Sequence, residues 1–93
     1  MTDVTVNDVE VIYYSATWCR PCKVFGPLVE RVVPEYPVKL TKIVVDEAGD
    51  DGMRMALKHH INNVPTLVRV KDGQTMKMVG ANNEESVRAF LEM

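Results

Sequence analysis

The sequence has no long apolar run, no cluster of basic residues and only two cysteines. Each shortage removes a class of function. No stretch approaches the ~20 apolar residues that a bilayer-spanning helix needs, so no membrane segment is expected. Eleven Lys and Arg against thirteen Asp and Glu leave a net charge of −2, and the pI lies near 5.6. That balance gives no electrostatic reason to expect nucleic-acid binding or attraction to an anionic membrane surface. The opening residues, Met1-Thr2-Asp3-Val4-Thr5-Val6-Asn7-Asp8, carry acids where a signal peptide carries bases. A cytoplasmic protein is therefore expected. No internal repeat, low-complexity tract or linker is present, and 93 residues leave no room for a second domain. The expectation is one domain over residues 1–93.

What remains is 46% apolar and 26% charged, a balance that suits a globular chain able to bury about two thirds of its unfolded surface. Val9-Glu10-Val11-Ile12-Tyr13-Tyr14-Ser15 is short, β-branched and aromatic, the pattern of a strand buried on both faces. Thr17 is expected to cap the helix that follows, and Pro21 suits its first turn, where an amide hydrogen has no intrahelical partner. Val24, Leu28 and Val32, with Phe25 and Val29, mark an apolar helical face running to about Val33. Gly26-Pro27 predicts a kink in that helix, and Pro34 and Pro37 close it. Val38 to Val45 reads as a second buried strand, leading into the acidic turn from Asp46 to Gly52. Met53, Ala56 and Leu57 repeat at helical spacing. Thr66 to Val70 and Thr75 to Val79 flank Lys71-Asp72-Gly73-Gln74, a hairpin signature. Asn82 or Asn83 caps a last helix carrying Val87, Phe90 and Leu91.

The chemistry concentrates in Trp18-Cys19-Arg20-Pro21-Cys22. As a staple the pair is weak, because a four-residue loop is worth only about 2 kcal/mol in the loop-entropy model. Redox exchange explains it better. With Cys19 opening a helix and facing solvent, and Cys22 one turn inside, the helix N-terminus favours the anionic form of the first sulfur. Cys19 then attacks and Cys22 resolves. In a reducing compartment a lone Cys-x-x-Cys beside alternating strands and helices points to catalysis or metal binding rather than to a structural bridge. His59 and His60 offer two further ligands for a tetrahedral zinc site, but adjacent histidines diverge by about 100° on a helix and lack finger spacing. A copper-chaperone module also uses such a pair. Asp46, Glu47, Asp50 and Asp51 follow no EF-hand loop and read as a solvated turn, and the six methionines as packing plus some exposure.

The order of elements, with Cys-x-Pro-Cys at the first helix, Val64-Pro65-Thr66 opening a strand and Val79-Gly80-Ala81 ending a hairpin, resembles the thioredoxin family across nearly the whole chain. Trp18, Lys23, Pro27, Lys42, Asp46, Pro65 and Gly80 carry the same likeness. The resemblance implies a thioredoxin-like α/β fold, a mixed sheet of about four strands with three helices in the order βαβαββα. It implies protein-disulfide reduction by Cys19 and Cys22, with no bound cofactor and no metal. It further implies a cis bond before Pro65, which faces the cysteines, and a Val64 backbone free to pair with an extended substrate. Trp18, Arg20, Pro21 and Gly80 shape the rest of the site. The implied partners are protein disulfides and a thioredoxin reductase as electron donor, with the protein a monomer. The thiol pKa at such a helix position drops from about 8.5 to roughly 3.5–7.5, a range drawn partly from thioredoxins themselves.

Four features depart from the family pattern. Few residues precede the first strand, as in the minimal thioredoxins that bacteriophages encode. Tyr13 stands where the family places a buried aspartate that carries the proton of the second sulfur; water helped by Lys42 is expected to replace it. Ser15 replaces a tryptophan. Arg20 replaces a glycine, and a cation there stabilises the Cys19 thiolate and makes the disulfide a stronger oxidant. The nearest alternative is a glutaredoxin-like, glutathione-dependent enzyme, but Gly80-Ala81-Asn82 lacks that family's glycine pair and acid. A partner-binding module without redox chemistry is the reading from a different class.

Overall fold

Strand β1 (Val9–Ser15) runs through the middle of the sheet and sets the rest of the architecture. The computed structural model describes residues 9–93, so the reading of the acidic opening residues lies outside the described part. The other elements are α1 (Arg20–Val32) with a 3-10 turn at Val33–Glu35, β2 (Lys39–Val44), α2 (Asp50–Lys58), β3 (Thr66–Lys71), β4 (Gln74–Val79) and α3 (Glu84–Leu91). Sheet order is β2-β1-β3-β4, with β1 parallel to β2 and antiparallel to β3, and β3 antiparallel to β4. This is the expected mixed four-stranded sheet with three helices.

Because β1 has a strand on each side and helices over each face, its continuous apolar run is fully used. Val11 and Tyr13 point into the core with Phe25, Val29 and Val32 of α1 and with Val87, Phe90 and Leu91 of α3. Ile12 and Tyr14 point the other way, into a second core with Ile43, Ala56 and Val68. Alternation along the strand thus feeds two cores rather than one core and solvent.

Several sequence expectations shift. Among the described residues β2 is an outer strand, and of its residues only Ile43 is buried, so the second buried strand is half-exposed instead. A strand with one neighbour keeps its outer flank in water. Val24 is 77% exposed and Leu28 only partly buried; the buried line of α1 is Cys22, Phe25, Gly26, Val29 and Val32. Val24 adjoins Phe25 in sequence but is turned about 100° from it around the axis. α1 continues through Pro27 to Val32. The acidic turn is shorter than read, since Asp50 and Asp51 already form the first turn of α2, where the helix dipole favours negative charge. Asn83, not Asn82, caps α3, accepting the Ser86 amide at 2.8 Å. Asp72 and Gly73 both take positive φ in the β3–β4 hairpin, as a tight two-residue turn requires.

His59, at the C-terminal cap of α2, is buried against Tyr14, and its Nδ1 shares a 3.0 Å hydrogen bond with the Tyr14 hydroxyl. Burial, reinforced by the nearby Lys58 charge, holds the imidazole below its ordinary pKa. The unfolded chain therefore takes up a proton near pH 6.5 that the folded chain resists. Stability should fall as pH drops below about 6.5 and go on falling until the folded His59 titrates. Urea midpoints measured between pH 7.5 and 5 check this: wild type should lose stability across the window, while His59→Gln, less stable at pH 7.5, should lose less.

Candidate active site

The carboxyl end of β1 delivers the chain to Ala16-Thr17-Trp18 and then to the N-terminus of α1. Cys19, rather than the expected Thr17, caps that helix: its Sγ accepts the Cys22 amide at 3.2 Å. Pro21 lies in the first turn and no acid does. A sulfur at this cap receives a backbone N–H and the positive end of the helix dipole, both of which favour thiolate over thiol. Arg20 is exposed beside it and forms no ion pair among the described residues. Its charge therefore acts through solvent and is screened by salt.

Cys19 and Cys22 form a disulfide with Cα atoms 5.3 Å apart. The expectation that Cys19 faces solvent needs correction, because in this oxidised state Cys19 is 3% and Cys22 7% exposed. Both pack with Ala16, and Val45 and Val64 close over them. Val64 arrives from the loop before β3, where the Val64–Pro65 bond is cis. The Val64 amide and carbonyl take part in no backbone hydrogen bond among the described residues, as expected of an edge available to an extended segment. Gly80 is tied to this loop, its amide donating to the Pro65 carbonyl at 2.8 Å. A φ of +95° explains the glycine: no neighbour would clash with a side chain there, but the backbone conformation is one that other residues rarely adopt. Trp18 is 70% exposed, so it is a surface ring and not core filling.

Sequence reasoning missed two features. Met53 and Leu57 are exposed on α2 and join Trp18, Val45, Ala56, Ile61 and Val64 around an apolar groove of about 320 Å³ beside the disulfide. On the opposite side, a cleft of about 280 Å³ reaches from Cys22 past Gly26 to Glu30. Tyr13 fills the position of the expected acid and donates a long 3.4 Å hydrogen bond to the Cys22 carbonyl. Lys42 is bound to Glu30 at 3.3 Å, so its charge reaches the cleft through that carboxylate. Ser15 lines the same cleft. The two histidines do not meet the cysteines as a pair: His59 is engaged with Tyr14, and His60 is exposed at φ +55°. No group of three His, Cys, Asp or Glu able to hold a metal is found among the described residues.

Asp46, at the end of β2, supports the loop before the cysteines. It accepts the Thr17 amide at 3.0 Å and the Thr17 hydroxyl as well.

A family model described as Thioredoxin matches residues 2–93. The chain is 40% identical over 81 residues to Thioredoxin-1 of Saccharomyces cerevisiae, covering 85% of this chain and 75% of that protein. It is 37% identical over 83 residues to the mitochondrial thioredoxin of Bos taurus, covering 88% of this chain and 49% of that one. The chain thus spans about half the length of its mammalian mitochondrial relatives. Among solved structures, oxidised mitochondrial thioredoxin 3 from Saccharomyces cerevisiae superposes with a TM-score of 0.77 at 34% identity, covering 95% of this chain and 80% of that one. Among the described residues, no helix is long and apolar enough to cross a membrane.

The two Thr17 hydrogen bonds hold the Asp46 carboxyl below the usual aspartate pKa. A depressed folded pKa means that this contact stabilises the protein above the ordinary aspartate value of about 3.9, and that the gain disappears as pH falls through the folded value. Thermal midpoints of wild type and Asp46→Asn should differ at pH 7, with wild type higher, and should converge in acid.

Proposed function

The chain belongs to the thioredoxin family, and from that premise we propose that it is a thiol–disulfide oxidoreductase that reduces protein disulfides through Cys19 and Cys22. The observation that carries this reading is the cysteine pair at the cap of α1, with the Cys22 amide on Cys19 Sγ and the Val64–Pro65 loop packed against it. In the reduced protein Cys19 is the nucleophile. Its thiolate attacks one sulfur of the partner disulfide, and the other partner sulfur leaves with its electron pair and takes a proton. Cys22 then attacks Cys19 Sγ, releases the second partner sulfur and closes the internal disulfide. Two electrons pass to the partner, and no cofactor is needed within the domain.

The remaining site residues hold the partner. Trp18 and the apolar groove take its side chains, while the Val64 backbone pairs with its extended chain next to Pro65. Gly80 keeps the Pro65 loop in place through its amide. Pro21 fixes the first turn of α1, and Arg20 sets the redox poise by favouring the Cys19 thiolate. The domain takes in residues 1–93 and works as a monomer recycled by a thioredoxin reductase. We place it in the cytoplasm, because a sole cysteine pair of this kind suits a compartment where bridging disulfides do not persist.

Reduction of insulin, driven in parallel by NADPH with a thioredoxin reductase and by glutathione, tests the reading. Rapid turnover is expected in the first arm and little in the second, and Cys22→Ser should accumulate a mixed disulfide with insulin through Cys19. If Cys22→Ser traps nothing while wild type still binds its partners, the exchange reading is wrong. A separate equilibrium with a reference dithiol addresses Arg20. Arg20→Gly should make the protein a stronger reductant by a modest, salt-sensitive margin, and an unchanged equilibrium would remove Arg20 from the account of poise.

A further inference from the structure

Cys22, Gly26 and Glu30 lie four residues apart in turn along α1 and so form one stripe of the helix. Cys22 is buried at its top, Gly26 leaves the middle without a side chain, and Glu30 is half-exposed at its foot. Opposite the stripe, Tyr13 of β1 and Lys42 of β2 are register partners on neighbouring parallel strands. The Tyr13 hydroxyl reaches the middle of the stripe: it lies 3.4 Å from the Cys22 carbonyl, and a Cβ at Gly26 would sit 3.4 Å from it. Lys42 Nζ holds Glu30 Oε2 at 3.3 Å. Tyr13, Cys22, Gly26 and Glu30 line one open cleft with Lys23 at its rim, and Lys42 stands behind Glu30 as its ion-pair partner. A polar cleft of that size holds water, and helical side chains lean toward the N-terminus, which brings the Glu30 carboxylate back toward Cys22.

We propose that Glu30, positioned by Lys42, is the proton acceptor for Cys22, reached through water that Tyr13 anchors in the gap left by Gly26. The proposal rests on the exchange reading and assigns the proton path of its second step. Cys22 gives its proton through water to the Glu30 carboxylate, and the electron pair of the resulting thiolate forms the bond to Cys19 Sγ. The bond between Cys19 and the partner sulfur breaks, and its pair leaves on the partner sulfur, which is protonated by Glu30 or by solvent. The cysteine pair loses two electrons and the partner gains them. A carboxylate two helical turns below the cysteine thus does the work of an acid that the strand beneath it lacks. The charged and titratable groups lining the cleft with Cys22 are Tyr13 from β1 and Lys23 and Glu30 from α1, with Lys42 from β2 paired to Glu30.

Stopped-flow reaction of the reduced protein with dithiobis-nitrobenzoate tests the path, because attack by Cys19 and then by Cys22 each releases one coloured thiolate. In Glu30→Gln the first release should keep the wild-type rate, while the second slows by about a hundredfold, the low end for loss of a general base. Glu30→Asp should recover most of the rate. Gly26→Ala, whose methyl group occupies the gap at ordinary contact distance, should slow the second release with Glu30 intact. Unfolding midpoints confirm that each variant is folded. A second release at the wild-type rate in Glu30→Gln overturns the proposal, as does equal slowing of both releases. Loss of the first release in wild type would instead overturn the exchange reading itself.

Discussion

A strand buried on both faces has no solvent to which it can send a polar group, and β1 carries two tyrosines. Each phenol must find a partner inside the protein, since an unpaired buried hydroxyl costs of order 1–3 kcal/mol. Tyr14 meets His59 on the α2 side, and Tyr13 meets the Cys22 carbonyl on the α1 side. Those two bonds fix how closely each helix approaches the sheet. The first makes a buried histidine the C-terminal cap of α2. The second places a phenol against the first turn of α1, in direct contact with the backbone of Cys22. Chemistry at the disulfide and packing under the sheet are therefore coupled through adjacent residues of one strand.

The active site is assembled from segments that are far apart in sequence, each held by a specific tie. Asp46 from the end of β2 grips Thr17, Gly80 from the end of β4 grips Pro65, and the Cys22 amide rests on Cys19. Nothing in this set depends on a surface ion pair. Arg31 with Glu84 links α1 to α3, Arg88 with Glu35 ties α3 to the 3-10 turn, and Arg88 with Glu84 pairs within α3, all away from the cysteines. Exposed pairs of that kind contribute little, so the seam between α1 and α3 depends mainly on Phe25, Val29, Val87 and Phe90.

Local chemistry was readable from the residues, and long-range accommodation was not. The bounds of β1, the Asp-Gly hairpin and the capping of α3 by an asparagine follow from short-range rules, and the structure agrees with each. The cis bond at Pro65 came with the family resemblance, because no local rule distinguishes one X-Pro bond from another. Thr17 has the right chemistry for a helix cap, but Asp46, distant in sequence, offers it two hydrogen bonds, and Cys19 takes the cap. Val38 to Val45 looks buried by composition, yet burial depends on neighbours, and among the described residues β2 has one strand beside it. The cleft at Gly26 was invisible for a related reason: a glycine before a proline reads as backbone accommodation, and only the arrival of Tyr13 from another element makes it a gap.

Among the described residues, the sheet ends in two open flanks, β2 and β4, and β4 is exposed along most of its length with Met76 and Val79 among its outer residues. Such flanks are templates for pairing with another chain. Lysines stand on both, Lys39 and Lys42 on β2 and Lys77 on β4, and Lys77 bonds the His60 carbonyl at 3.0 Å. Burying them against a second sheet would strip charge of its water at every attempt. Lys42, which holds Glu30 beside the cleft, thus also puts a charge on the open flank of β2, so one side chain serves both the cleft and the sheet edge.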